Sequence, residues 1–279
     1  MSTAAIHERY RALLRLWPVA SEHLTVPTRL GETFVVASGP AGAPPLVLLH
    51  GSGATSAMWL GDVSSYVESH RVYAVDIPGE PGLSAPARPP MASSAYSDWL
   101  GEVLDALGVK QARLLGISLG GWLAADFATR HPDRVERLAL ISPSGIGKQK
   151  LGIALLTLFL LPLGRPGRKL SLRLVLGTTP PPAMTEFVLF IHKHFRARRE
   201  TVPVLSDEAL ATLTMPLLAI VGGRDALLDS AETQARLERH APAATVVLLP
   251  SAGHLLPSQA DRISRFLAGN RKQNVRNRF

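Results

Sequence analysis

Apolar residues in this chain fall into short unbroken runs, separated by stretches in which they recur with a helical period. Leu46-Val47-Leu48-Leu49 and Leu217-Leu218-Ala219-Ile220-Val221 contain no polar position, the pattern of strands covered on both faces. Similar runs predict strands at 71–75, 112–116, 135–142 and 245–249, and the Leu217 strand is extended back to 216. Helical spacing is read at 4–17, 55–69, 93–107, 121–128, 232–237 and 257–268. Thr25–Ala37 alternates enough to predict a hairpin turning at Leu30-Gly31. Strands alternating with helices predict an α/β fold with a mainly parallel, doubly wound sheet.

That alternation stops between Ser142 and Leu205. An inserted helical cap is expected over 145–205, with the core in two pieces, 1–144 and 206–279. Leu151–Leu163 is apolar on every side but falls short of the ~20 residues that span a bilayer. It is read first as a cap helix, with an interfacial membrane segment between basic flanks or a dimer contact as alternatives. Thr178-Thr179-Pro180-Pro181-Pro182 marks a break within the insertion. The run His192-Lys193-His194-Phe195-Arg196-Ala197-Arg198-Arg199 is poor as a metal site, because i,i+2 histidines on a helix face different directions. A solvated surface is preferred there over an anion-binding rim.

The candidate chemistry lies where strands end. Gly116-Ile117-Ser118-Leu119-Gly120 follows a short apolar strand and precedes a helical stretch from Gly121. A G-x-S-x-G between strand and helix lifts its serine over the first amides of the helix, where negative charge is favoured. Ser118 is therefore the candidate nucleophile; the plain alternative makes it an N-cap. Pro45–Leu49 runs into His50-Gly51-Ser52-Gly53, a glycine-rich turn that can present backbone N–H groups to an oxyanion. The expected donors are the amides of Ser52 and Leu119, with His50 orienting the loop. Strand 216–221 ends in Gly222-Gly223-Arg224-Asp225, which makes Asp225 the acid that would hold a histidine. Asp229 is its rival and is better suited to cap the following helix. Strand 245–249 leads to Gly253-His254, the candidate base, with His240 the weaker choice near a helix C-terminus.

The order Ser118, Asp225, His254 is that of the α/β-hydrolases, and the chain resembles this family over most of its length outside 145–205. Val72–Ser84 looks like the family's D-x-x-G-x-G-x-S turn, and His131-Pro132-Asp133-Arg134-Val135 like its connection into the next strand. One departure is visible: Glu80-Pro81 stands where many relatives carry a histidine or tyrosine before the second glycine. The resemblance implies a serine hydrolase cleaving carboxylic esters through an acyl-enzyme on Ser118, with no metal or organic cofactor. Its expected substrate is a small to medium, fairly apolar ester. A lactonase, thioesterase, C–C bond hydrolase or perhydrolase would use the same triad. A non-catalytic ligand receptor on the same fold is the alternative of another class.

Composition narrows this picture. The length of 279 residues suits one large domain with an insertion. Without cysteine, disulfides, thiol nucleophiles and thiolate metal sites are excluded together. The net charge of +8 is unevenly placed. The basic excess gathers in residues 145–200 and after Arg271, leaving the remainder acidic, so no nucleic-acid partner is expected. Arg9, Arg11 and Arg15 interrupt any apolar leader, so a cytoplasmic location is expected. The tail Asn270–Phe279 is expected to fray. Monomer and homodimer remain equally open.

Overall fold

The computed structural model describes residues 3–150, 152–153, 159–198 and 200–269. Within them the strands are β1 (Ser21–Thr28), β2 (Gly31–Ser38), β3 (Pro45–Leu49), β4 (Arg71–Val75), β5 (Ala112–Ile117), β6 (Val135–Ile141), β7 (Leu217–Gly222) and β8 (Ala244–Leu249). They form one sheet in the order β1-β2-β4-β3-β5-β6-β7-β8. The β1–β2 hairpin turns where expected, since Thr28 pairs with Gly31. It joins the sheet antiparallel through β2 and β4, and every pairing from β4 to β8 is parallel.

The apolar runs explain the layers. Successive strand side chains point to opposite faces. Val47, Leu49, Leu114, Leu138, Leu140, Leu217 and Ala219 enter one core, while Leu46, Leu48, Leu115, Ala139, Ile141, Leu218 and Ile220 enter the other. The longer helices, in chain order, are α1 (Thr3–Leu14), α2 (Val63–Val67), α3 (Ala95–Ala106), α4 (Leu119–Arg130), α5 (Gly164–Leu176), α6 (Pro182–His194), α7 (Asp207–Ala211), α8 (Ser230–His240) and α9 (Ala260–Leu267). Helices α3, α4 and α8 supply the first core; α1, α2 and α9 supply the second. A doubly wound α/β-hydrolase sheet results.

Two helices differ from expectation. The single helix read at 55–69 is a 3-10 turn, Ser56–Trp59, followed by the short α2. Ser56 is held by its N–H and Oγ to Asp76 Oδ1, at 2.9 and 2.8 Å, and Gly61 then interrupts the helical run. Helix α1 ends at Leu14 rather than Trp17: Trp17 precedes Pro18, which disfavours helical backbone, and its indole N–H donates instead to Ser38 Oγ at 2.9 Å. Asp76 is also the anchor of α1, accepting from Tyr10 Oη at 2.9 Å. Burial first, and the Asp76 carboxylate second, hold the Tyr10 phenol well above its ordinary range, so it remains a donor.

Helices α5, α6 and α7 lie between β6 and β7. In α5 the buried residues are Gly167 and Leu172; in α6 they are Leu189 and Ile191. Leu151 and residues 154–158 of the apolar run, and the tail 270–279, lie outside the described residues. No helix among the described residues is long and apolar enough to cross a membrane.

Candidate active site

Ser118 alone reverses the chain between β5 and α4. Its φ of 52° and ψ of −111° lie where a non-glycine residue is strained by about 1–3 kcal/mol. The surroundings impose that shape. Ser118 N–H donates to Ile141 O at 3.0 Å, and Ser118 O accepts from Trp122 N–H at 3.0 Å and Ser144 N–H at 3.1 Å. A Cβ on Gly116 would overlap the Gly120 carbonyl, and one on Gly120 the carbonyls of Leu49 and His50. The glycines of the motif are therefore required by close backbone approach. Ser118 Oγ makes no capping bond to α4, which weighs against the plain N-cap alternative.

Beyond β7, Asp225 is buried and fully engaged. Its Oδ1 accepts from the N–H groups of Leu227 and Leu228 at 2.8 and 3.0 Å. His254 Nδ1–H donates to its Oδ2 at 2.7 Å. That bond fixes the histidine tautomer and leaves Nε2 as the acceptor. Asp229 instead caps α8, accepting from Glu232 N–H at 3.0 Å. His240 ends α8, 3.4 Å from Asp207. The fold thus brings together Asp225 and His254, and sends Asp229 and His240 elsewhere. Among the described residues, no hydrogen bond joins Ser118 Oγ to His254.

Ser142, with φ 40°, donates from Oγ to the His254 carbonyl at 3.0 Å and so ties the end of β6 to the histidine loop. Sequence reasoning missed it, because no local pattern marks a serine whose partner lies 112 positions away. Gly253 is small for a similar reason: a Cβ there would stand 2.5 Å from Gly177 Cα, where α5 ends.

The turn after β3 is closed by Ala54 N–H on Gly51 O at 3.3 Å, with Gly53 at φ 66°. His50 orients it: Nδ1–H donates to Gly51 O at 2.8 Å, and Nε2 accepts from Ile77 N–H at 3.0 Å. Burial holds the His50 pKa below its ordinary value, so the ring stays neutral. Among the described residues, the N–H groups of Ser52 and Leu119 have no hydrogen-bond partner, whereas Gly53 N–H donates to Glu80 Oε2 at 2.6 Å. Burial pushes the Glu80 carboxyl up to about 7, against the opposing pull of the Gly53 N–H, Arg88 and Arg198.

The inserted helices meet these loops at both ends. Leu255 N–H donates to Leu176 O at 3.0 Å beside the Gly177–Gly253 contact. His192 Nε2, near the end of α6, stands 4.0 Å from where a Gly53 Cβ would be. Arg198 corrects the reading of its run as a solvated surface or an anion rim. It donates to Pro89 O and Tyr96 Oη, each at 2.8 Å, and pairs with Glu200 at 2.6 Å, leaving its side chain 10% exposed. A cleft of about 570 Å³ between α1 and α6, bordered by Arg9, Arg11, Arg15 and Phe190, includes none of Ser118, Asp225 or His254. Among the described residues, no group of three His, Asp or Glu side chains is placed to hold a metal ion.

The comparisons with known proteins agree with this geometry. Residues 46–266 match the model of the alpha/beta hydrolase family. Carboxylesterase YbfK of Bacillus subtilis is 30% identical over 288 residues, covering 95% of this chain and 94% of the relative. The uncharacterized carboxylesterase nap of the same organism is 30% identical over 291 residues, covering 93% and 91%. Among solved structures, naproxen esterase (carboxylesterase NP) from Bacillus subtilis superposes with a TM-score of 0.85 at 28% identity, over 95% of this chain and 98% of its own. Strand order, elbow and family match converge, and the chain belongs to the α/β-hydrolase family.

Proposed function

We propose that this chain is a carboxylesterase in which Ser118, His254 and Asp225 form the catalytic triad and region 145–205 caps the site. The observation that carries the reading is the buried 2.7 Å bond from His254 to Asp225, beyond the same sheet edge at which the elbow presents Ser118. The carboxylesterase names of the two full-length relatives support the substrate class.

In this reading His254 Nε2 takes the Ser118 Oγ proton as the oxygen attacks the ester carbonyl. Asp225, kept charged by its two backbone donors, stabilises the imidazolium. The free N–H groups of Ser52 and Leu119 receive the oxyanion. Collapse expels the alcohol, which takes its proton from His254, and leaves an acyl-enzyme on Ser118. Water, deprotonated by His254, then releases the acid and restores the serine. The Ser118–His254 bond forms with substrate bound, since catalytic hydrogen bonds are often loose in free enzymes. Apolar, small to medium esters are the expected substrates.

Hydrolysis of p-nitrophenyl esters from acetyl to dodecanoyl tests this. Ser118→Ala is expected to lose about 10⁴-fold or more in kcat with its melting temperature retained. Asp225→Asn is expected to lose about 10⁴-fold, whereas Asp229→Asn keeps kcat. Turnover by Ser118→Ala would overturn the mechanism, and the reverse result at the two aspartates would reassign the acid.

A further inference from the structure

We propose that Glu80 is a positioning residue for the oxyanion-binding turn: its carboxylate holds the Gly53 N–H and so keeps the neighbouring Ser52 amide aimed at the carbon attacked by Ser118. This deepens the esterase reading above and rests on it.

The turn that carries Ser52 has little of its own to hold it. Ser52 is exposed, both its neighbours are glycines, and its closing bond from Ala54 N–H is 3.3 Å long. Glycine gives such a turn the widest backbone freedom. The 2.6 Å bond to Glu80 is its shorter tether, and it acts on the residue directly after Ser52. Glu80 in turn projects from a segment fixed at several points. Its own N–H donates to Ile77 O at 3.2 Å, Gly79 N–H to Ala85 O at 2.8 Å, and Leu83 N–H to Asp76 Oδ2 at 2.8 Å. Arg88 Nε donates to Gly79 O at 2.9 Å. A Cβ on Gly82 would run into the Asp76 carboxyl, so this segment cannot shift without disturbing Asp76. The side chain at 80 is a strut from a rigid loop to a pliant one.

A carboxylate accepts an N–H bond about twice as strongly as a neutral oxygen does. The strut is therefore firmest when Glu80 is ionised. The charged and titratable groups that face it are Arg88 from the loop before α3, Arg198 from the segment after α6, and Tyr96 from α3. His192, from α6, overhangs the same turn. The carboxyl titrates at about 7, so the tether tightens through neutral pH.

The experiment is the pH dependence of kcat and KM for p-nitrophenyl butyrate with the native chain, Glu80→Gln and Glu80→Ala, beside Ser118→Ala. Glutamine keeps an acceptor that cannot ionise. The native kcat is expected to exceed that of Glu80→Gln by about three- to tenfold at pH 8.5 and to converge with it near pH 5.5, with KM little changed. Glu80→Ala is expected to fall below both at every pH. A native-to-Gln ratio that does not vary with pH, or an alanine variant with native kcat, would overturn the proposal. If Ser118→Ala still turns over, the esterase reading itself has failed; if it is inactive while the glutamine profile matches the native one, only the role of Glu80 has failed.

Discussion

Along β7 every residue from Leu217 to Gly222 is buried, whereas α5 buries only Gly167 and Leu172 in a longer element. The sheet is joined by continuous ladders and by two cores that its alternating side chains feed. The inserted helices instead carry exposed pairs, Arg165 and Lys169 with Glu186, of a kind that contributes about 0–1 kcal/mol. They leave Phe159, Leu163 and Leu170 exposed. The candidate chemical groups all belong to the better-packed region, and the inserted helices reach them through the Gly177–Gly253 contact and the overhang of His192. Chemistry is thereby separated from covering: the insertion can change its sequence without disturbing the bond between His254 and Asp225.

The comparison breaks hardest at the elbow. Gly120→Ala is expected to destabilise by about 4 kcal/mol or more, because the added methyl meets backbone carbonyls that cannot move aside. Urea unfolding measures it, and native stability in that variant would refute the close-approach account. A smaller effect is expected where the two regions meet, at Glu80. The folded chain keeps its Glu80 proton up to about pH 7, while the unfolded chain gives it up near the ordinary 4.5. The folded state therefore binds more protons between those values, and stability falls as pH rises through that window. The loss amounts to about 3 kcal/mol and levels off above pH 7. Glu80→Gln should remove that slope, so the two chains should diverge in urea midpoint between pH 4.5 and 8. The smallest effects compare the regions directly. Ile220→Val in β7 is expected to cost about 1 kcal/mol, whereas Leu170→Ala in α5, although it deletes more carbon, should stay within about 0.5 kcal/mol. Equal losses would mean that the insertion is as tightly packed as the sheet.

Features governed by neighbours in the chain were readable from the residues. The strands, the glycines flanking Ser118 and the capping role of Asp229 each depend on a few adjacent positions. The role of His50 was legible for a related reason, since one of its bonds is to the next residue. What stayed hidden depends on strand order. Ser142 reaches His254, Glu80 reaches Gly53, and Arg198 reaches Tyr96 only because β3, β5, β6 and β7 lie side by side and bring their exit loops to one edge. Residues 55–69 were misread for the same reason: an apolar period suited a helix, but Asp76, on another strand's exit, held Ser56 and broke it.

The bond from Tyr10 to Asp76 has a bearing on how the chain matures. Its donor is made 66 residues before its acceptor, an interval of several seconds at ~5–20 residues per second. Through that interval Ile6, Tyr10 and Leu14 have no surface to settle on, and a helix of 12 residues is marginal by itself in water. Helix α1 therefore takes its place only after β4 has been delivered to the sheet. The turn around Asp76 is finished by a segment that has waited, exposed, for the strand to arrive.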